Sequence, residues 1–212
     1  MSSAPLTPAA TRRVRARRGD GSLLREEILA AAEEILIRTN DQASLSIRAV
    51  AAAVGVTPPS IYLHFADRND LLFEVCERHM EHMEQAMQDA AEGEPDPLER
   101  LRRRGWAYLQ WALDNPEHYR VLMMSRPDRT PDRFVDERLV DTAGLMPVVA
   151  DLAEAIDAGL IRPDDPLETT KVLWMLIHGV ASMLISKPEF PFPPADEVYA
   201  RVFSLVRAGF TR

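Results

Sequence analysis

The sequence predicts an all-α protein in which an N-terminal three-helix helix-turn-helix domain precedes a larger helical domain. Apolar residues recur at helical spacing along most of the 212 residues, and no segment shows the alternation of a strand. Prolines and glycines fall between these stretches, which number about nine. The segment 46–72 contains two short helices joined at Gly55, and 46% hydrophobic residues are ample for a core.

The expected boundaries follow from composition and from helix punctuation. Residues 1–21 are predicted to be a disordered basic arm, 22–70 the helix-turn-helix domain, and 71–212 a second domain for ligand binding and dimerisation. We expect helices at 22–39, 47–54, 58–65, 67–91, 98–113, 117–124, 134–158, 167–185 and 196–208, and the Asp67 side chain is expected to cap the fourth of them. In the first helix, the predicted core stripe is Leu24, Ile28, Ala31, Ile35 and Leu36.

The net charge of −8 is unevenly distributed along the chain. Residues 1–70 hold nine basic and eight acidic side chains, whereas 71–212 hold sixteen and twenty-five. The basic excess of the arm comes from five arginines: Arg12, Arg13, Arg15, Arg17 and Arg18. Such an arm can follow phosphates or enter the minor groove, and the alternative is a solvated tail without a role.

Each end of the two short helices carries a recognisable signal. Ser46 is a good N-cap for the first helix, and Gly55 ends it. Thr57 can cap the second helix, where Pro58 and Pro59 occupy the first turn and no intrahelical bond is lost. We therefore interpret residues 46–72 as a helix-turn-helix that binds DNA, and we call this segment the reader.

The run Ile61-Tyr62-Leu63-His64-Phe65 and the segment 67–72 together resemble the DNA-binding domain of TetR-type transcriptional regulators. The resemblance covers roughly residues 22–75 and departs from the family at Pro58-Pro59. It implies a homodimer formed through helices near 167–185 and 196–208, bound to a palindromic double-stranded operator. It also implies a small effector bound in the second domain, most simply one that releases a repressor, although an activator remains the alternative.

The expected DNA contacts of the reader fall into two groups, according to where each residue lies in the helix-turn-helix. Thr57, Ser60 and Leu63 are expected to face base edges. Tyr62, His64 and Arg68 are expected to hold phosphates, as the resemblance implies for a basic residue at a helix start. Ser46 and Arg48, at the start of the preceding helix, complete the predicted DNA-binding set.

Large soft side chains are concentrated in the second domain, where Met and aromatic residues can line a cavity. The predicted ligand-binding residues are Trp106, Tyr108, Trp111, Met123, Met124, Phe134, Met146, Trp174, Met175 and His178. Ordinary core packing is the competing interpretation of each, and the His178-Gly179 pair also suits close helix packing across a dimer. Since charges are few in these stretches, the expected effector is apolar or aromatic.

Other functions were weighed against a regulator. Cys76, His79 and His82 could serve a metal-responsive regulator, but successive spacings of three place Cys76 and His82 about 120° apart on a helix. A solvated face is the simpler interpretation, and no metal or cofactor is expected. The chain lacks a phosphate loop, nucleophile elbow or HExxH, so it is not predicted to be an enzyme. An architectural DNA-binding protein would not need an acidic second domain.

Cellular location follows from the same composition. The longest apolar stretch, 172–185, has about fourteen residues and is short of the roughly 20 needed to span a bilayer. A single cysteine, Cys76, excludes an internal disulfide and suits a reducing compartment. We therefore expect a cytoplasmic protein without a membrane partner.

Overall fold

The computed structural model describes residues 20–39, 41–124, 144–162 and 164–210, and it contains nine α-helices and no strand within those ranges. The helices are α1 Asp20–Thr39, α2 Ile47–Val54, α3 Pro58–Ile61, α4 Arg68–Ala91, α5 Pro97–Asp114, α6 Pro116–Tyr119, α7 Met146–Asp157, α8 Pro166–Ser186 and α9 Ala195–Phe210. They form two compact units, one that ends at Cys76 and one that begins at Glu77.

The predicted all-α class is confirmed, and three helices differ from their expected bounds by more than two residues. α3 ends at Ile61, four residues earlier than expected, and continues as turns to His64. α6 passes directly into a π-helical turn at Arg120–Met124. α7 begins at Met146, since Gly144 and Leu145 before it are not helical, and residues 134–143 of the predicted 134–158 helix lie outside the described residues.

The first unit is built around a small apolar core. On α1, the buried stripe contains Ala32 rather than the predicted Ala31, which is half-buried as is Leu24. The core side chains of the unit are Ile28, Leu29, Ala32, Ile35, Leu36, Leu45, Ile47, Val50, Ala51, Ile61, Phe65, Leu71, Leu72 and Val75. This core holds the two short helices in a fixed relation.

The start of α4 is fixed by a reciprocal pair of caps. The Asp67 carboxylate accepts a hydrogen bond from the backbone N–H of Asp70 at 2.8 Å, as predicted for a cap. The Asp70 carboxylate in turn accepts from the N–H of Ala66 at 2.9 Å. Two otherwise unsatisfied amides are thereby paired, and the chain direction after the reader is defined.

The second unit has its core where α5, α6 and α8 meet. Tyr119 and Leu109 are fully buried there, and Tyr108 is nearly so. A second cluster around Leu152 joins α7 to α5. Asp151 of α7 strengthens that junction through ion pairs with Arg100 and Arg104 of α5.

α8 exposes an unusually apolar surface. Val172, Met175, Leu176 and Met183 are all largely accessible, with Met175 61% exposed. Over an 18-residue window the helix has a mean hydropathy of 1.3, so by length and composition it is the one described helix that could cross a membrane. The prediction that no segment approaches a membrane span was therefore too strong, because the helix is 21 residues long and extends beyond the apolar run counted from the sequence.

Candidate nucleic-acid interface and apolar cavity

The first helix of the reader is closed at both ends by the predicted residues. The Ser46 hydroxyl accepts a hydrogen bond from the N–H of Ala49 at 3.1 Å. Gly55 adopts φ +76°, the left-handed conformation that a side chain disfavours, and its N–H bonds to the Ala51 carbonyl. Ser46 therefore has a structural role, while Arg48 is exposed on the first turn of α2.

The second helix of the reader begins differently from its predicted cap. Thr57 precedes α3 but makes no side-chain cap hydrogen bond. Pro59 lacks the N–H that such a cap would use, and the N–H of Ser60 bonds to the Thr57 carbonyl instead. The Thr57 and Ser60 hydroxyls are 3.1 Å apart and bonded to each other, so the two predicted base contacts form one polar pair at the start of α3.

The turns after α3 present the most exposed apolar side chain of the reader. Leu63 is 83% exposed and Tyr62 is 55% exposed, whereas Ile61 and Phe65 are buried beneath them. His64 is half-buried beside Phe65. Ile61 and Phe65 therefore face the core of the unit, while Tyr62 and Leu63 face away from it.

Arg68 has a structural role that the sequence did not reveal. Its Nε donates to the Leu45 carbonyl at 2.6 Å, and its other nitrogens donate to the Gln42 carbonyl and, at 3.2 Å, to the Asn69 side chain. These bonds connect α4 to the 3₁₀ turn Gln42–Ser44, which leads into α2. The predicted phosphate contact of Arg68 stays a prediction, to be made in addition to these bonds.

Arg25 is a second residue that sequence reasoning missed. Its guanidinium is 2.5 Å from the Glu74 carboxylate and lies over the Phe65 ring, 5.2 Å from the centroid. One side chain of α1 is therefore fixed to α4 and to the end of the reader. Because Arg25 and Glu74 are 49 residues apart in the sequence, no local pattern could have predicted their ion pair. The five arginines of the arm lie outside the described residues.

A cavity of about 100 Å³ lies within the second unit. Its walls come mainly from α5, α8 and α9, with contributions from α7 and from the ends of neighbouring segments. Apolar residues provide most of the lining: Met87, Leu98, Leu101, Leu145, Val148, Ile161, Leu173, Leu176, Ile177, Val202, Phe203, Val206 and Phe210. The volume is below the roughly 300 Å³ of a usual ligand site, so a ligand must move wall side chains to enter.

The predicted ligand residues are distributed over several environments. Tyr108 and Trp174 line the cavity. Trp106 packs on Tyr199 beside a shallow surface cleft, and Trp111 and Met123 pack against the core. Met124, Met146 and Met175 are exposed, and His178 is hydrogen-bonded to Tyr119. Phe134 lies outside the described residues.

The cavity residues that sequence reasoning missed follow a helical face. Leu98, Leu101 and Gly105 recur on α5 at spacings of three or four, in register with the predicted Tyr108, which brings all four to one side. Trp106 is about 200° from Tyr108 around the helix and points away from that side. The spacing was therefore a better signal than aromatic content, which had drawn attention to the tryptophans.

A chain of hydrogen bonds runs from the cavity wall to α8. The Tyr108 and Tyr119 hydroxyls are 2.9 Å apart, and the Tyr119 hydroxyl is 2.6 Å from Nδ1 of His178. Nε2 of His178 lies 3.4 Å from the Ser182 hydroxyl. Burial raises the pKa of both tyrosines and lowers that of His178, so all three groups are held neutral.

The residues of the alternative metal site have separate environments. Burial raises the pKa of the Cys76 thiol to about 12, which disfavours the thiolate that binds metals. The His79 ring packs against His118 of α6, with centroids 4.2 Å apart, and meets His82 edge-on at 6.2 Å. The neutral thiol gives no support to a site based on Cys76.

Two family profiles match the chain in adjacent regions. Residues 28–75 match the profile of bacterial regulatory proteins of the tetR family, and residues 101–206 match that of the tetracyclin repressor-like C-terminal domain. The second match alone covers half of the chain.

Individual relatives extend the comparison. The HTH-type transcriptional activator FasR of Mycolicibacterium smegmatis is 26% identical over 98 residues, which are 46% of this chain and 44% of FasR, so the match spans less than half of that relative. A Rhodococcus sp. RHA1 protein of unknown function is 26% identical with a TM-score of 0.73, over 89% of this chain and 96% of its own. The fatty acid degradation regulator FadR from Bacillus halodurans shares the fold, with 16% identity and a TM-score of 0.70 over 87% and 98% of the chains.

Proposed function

The chain belongs to the TetR family of bacterial transcriptional regulators, and from this premise we propose that it is a cytoplasmic repressor released from a palindromic operator by a hydrophobic small molecule. Membership of that family makes it a DNA-binding regulator and not an enzyme. The observation that carries the finer proposal is the apolar cavity of the second unit, because a protein that only binds DNA has no use for it.

The reader supplies the DNA-binding part of the proposal. Leu63 and Tyr62 are exposed beyond the core, and the Thr57–Ser60 hydroxyl pair stands at the start of α3. An exposed apolar side chain beside hydroxyls suits the thymine methyl and polar base edges of the major groove. Arg48 and the basic arm supply charge for the phosphates.

A homodimer accounts best for the exposed face of α8. Met175, Leu176 and Met183 lie on that face, and Leu205 of α9 is 74% exposed. Exposed apolar side chains on two long helices are typical of a protein interface. A second copy covers them without requiring a membrane, and two readers about 34 Å apart then match the two halves of a palindrome.

Ligand response requires a connection between cavity and reader. α4 contains the boundary between the two units, so a change in its position in the second unit is transmitted along the chain to the reader. A ligand that prefers one position of α4 by about 1 to 3 kcal/mol changes DNA affinity five- to 150-fold. The same linkage operates whether the DNA-bound protein represses or activates.

Activation is the second candidate because the curated relative FasR is an activator. The match includes less than half of either chain, so the direction of regulation has to be measured. Both candidates use the same reader and cavity.

Selection of bound sequences from random DNA, followed by a reporter assay at the selected site, tests the proposal. We expect an inverted repeat with half-sites one helical turn apart, bound by two copies, and higher transcription when the gene is deleted. Lower transcription after deletion would favour the activator, and an asymmetric site bound by one copy would contradict the homodimer.

A further inference from the structure

The cavity is long in relation to its volume. Its lining extends from Leu98 to Tyr108 on α5 and from Tyr199 to Phe210 on α9, or about 15 Å along each helix at the helical rise. Only about 100 Å³ is distributed along this length. A single unbranched chain can enter space of that form with smaller movements of the wall side chains than a compact ring system would require.

Polar atoms of the deep wall are already bonded within the protein. The Tyr199 hydroxyl donates to the Arg102 carbonyl at 2.6 Å, and the Thr170 hydroxyl donates to the Pro166 carbonyl at 2.8 Å. Tyr108 shares its hydroxyl hydrogen bond with Tyr119. A ligand therefore meets mainly hydrocarbon along the wall, and a polar group placed there would lose its hydration without an equivalent replacement.

Charge is confined to one end of the cavity. Among the lining residues that the structure describes, Arg207 is the only charged one. It is exposed and lies one turn before Phe210, which packs in one cluster with Leu98 and Leu101. The other end of α9 meets α5 at Gly105, nearer to the buried Tyr108. Arg207 is also about 160° around α9 from Leu205, so a dimer formed on the Leu205 side leaves the guanidinium at the cavity mouth.

We propose that the cavity binds an unbranched amphiphile of medium length, with its hydrocarbon chain between α5 and α9 and a carboxylate head at Arg207. This inference rests on the proposed ligand-responsive function and defines the class of effector. A guanidinium pairs with a carboxylate through parallel N–H donors, which fixes the direction in which the chain enters.

Binding to the full-length protein is measured with decanoate, decan-1-ol and adamantane-1-carboxylate, below their aggregation limits, by tryptophan fluorescence and calorimetry. Trp174 lines the cavity and reports occupancy. We expect decanoate to bind about tenfold more tightly than decan-1-ol, because a carboxylate pairs with the guanidinium through two charge-assisted hydrogen bonds, whereas a neutral hydroxyl accepts only one. Adamantane-1-carboxylate, which has the same head on a compact cage, is expected to bind least tightly.

Two variants of α9, each with an arginine replaced by leucine, distinguish the contribution of the ligand's head group to affinity from that of its hydrocarbon chain. Arg207→Leu should remove the tenfold preference for decanoate and leave decan-1-ol affinity unchanged, whereas Arg201→Leu, at an exposed position outside the cavity lining, should retain the preference. Equal binding of acid and alcohol, an unaffected Arg207→Leu, or tight binding of the adamantane acid would overturn the proposal. If decanoate binds as expected but leaves operator affinity unchanged, the ligand assignment holds and the regulatory function fails. If another compound releases the operator while decanoate does not bind, the regulatory function holds and the ligand assignment fails.

Discussion

Tyr119 and His178 are joined by a 2.6 Å hydrogen bond between the phenolic oxygen and Nδ1, in a part of the second unit where Tyr119 is completely buried. The contact connects α6 with α8, and the Tyr108 hydroxyl extends it to the cavity wall. A neutral imidazole can satisfy both neighbours, because one ring nitrogen accepts a hydrogen bond while the other donates one. The charge state of His178 is therefore linked to the packing of α8.

We expect this link to make the second unit sensitive to acid. Burial lowers the pKa of His178 below its ordinary 6.5, so the unfolded chain takes up a proton that the folded chain resists. The contribution of His178 to stability is complete above about pH 6.5 and declines as the pH falls through the folded pKa. Urea unfolding at pH 7.5 and 5.5, at one protein concentration, should show a smaller decline for His178→Gln than for the wild type. An equal decline in both proteins would exclude His178 as the cause.

Asp151 should be among the most sensitive positions for stability. This buried carboxylate accepts from Nε of Arg100 at 2.6 Å and from Nε of Arg104 at 2.9 Å, and it thereby joins α7 to α5. Asp151→Ala removes the carboxylate partner of two largely buried guanidinium groups. Removing one partner of a buried ion pair lowers the free energy of unfolding by about 3 to 5 kcal/mol. Glu168→Ala, which removes an exposed pair with Lys171, should cost under about 1 kcal/mol in the same urea titration. Similar losses for both variants would contradict the assignment.

Gly105 allows Tyr199 to approach α5. A Cβ at Gly105 would lie 2.4 Å from the Tyr199 hydroxyl, which donates to the Arg102 carbonyl. Gly105→Ala should therefore destabilise the protein by about 1 to 3 kcal/mol, as overpacking does. Adding Tyr199→Phe removes the clashing oxygen, so the double variant should lose less than the two single variants combined. Gly209→Ala, where a Cβ meets open space, is the matched control and should leave the melting temperature unchanged. If the stability losses of the two single variants simply add in the double variant, the clash between Gly105 and Tyr199 is rejected.

The reader could be largely predicted because its signals are local. The Ser46 cap, the Gly55 stop and the Asp67 cap each act within four residues, and all three occur as expected. Thr57 behaves differently because a proline two residues later removes the amide that a cap would bind. Arg68 could not be assigned, since its carbonyl partners lie more than twenty residues away.

The sequence predicted an apolar cavity in the second domain, but neither its lining nor its small volume. The position of α9 across from α5 depends on the Tyr199 contact with Arg102, which is 97 residues away in sequence. Composition identified a domain able to contain a cavity, but it could not tell which face of each helix contributes. Met146 is an example of this limit of composition: it is a large apolar residue that was expected to bind ligand, but it lies at a helix start and is 46% exposed.

Leu63 and Arg68 should affect DNA binding in different ways. Leu63 is 83% exposed, so Leu63→Ala should leave the melting temperature unchanged and alter base preference at one position in a selection experiment. Arg68→Ala also loses its bonds to the Leu45 and Gln42 carbonyls, so it should lower both the melting temperature and DNA affinity for every sequence. If Arg68 additionally holds a phosphate, the slope of affinity against salt should fall by about 1. An unchanged slope with a lowered melting temperature would assign Arg68 a structural role alone.

Filling the cavity should separate ligand response from DNA binding. Val202 lines the cavity from α9, and Val202→Phe places a ring in space that a ligand would need. We expect it to abolish the fluorescence response to an apolar ligand and the ligand-induced loss of operator affinity, while operator affinity without ligand stays within about twofold. The reader belongs to the other compact unit, so the substitution should not alter the side chains that are predicted to contact DNA.

Met146→Trp adds a similar bulk outside the cavity lining and is the control for this substitution. It should retain the full ligand response. In the wild type and in this control, operator DNA must weaken ligand affinity by the same factor by which ligand weakens DNA affinity, because the coupling free energy is shared by the two sites. Titrating ligand against free and DNA-bound protein measures both factors. A normal response in Val202→Phe would place the effector elsewhere, and unequal factors in the wild type would mean that the observed release is not an equilibrium coupling between cavity and reader.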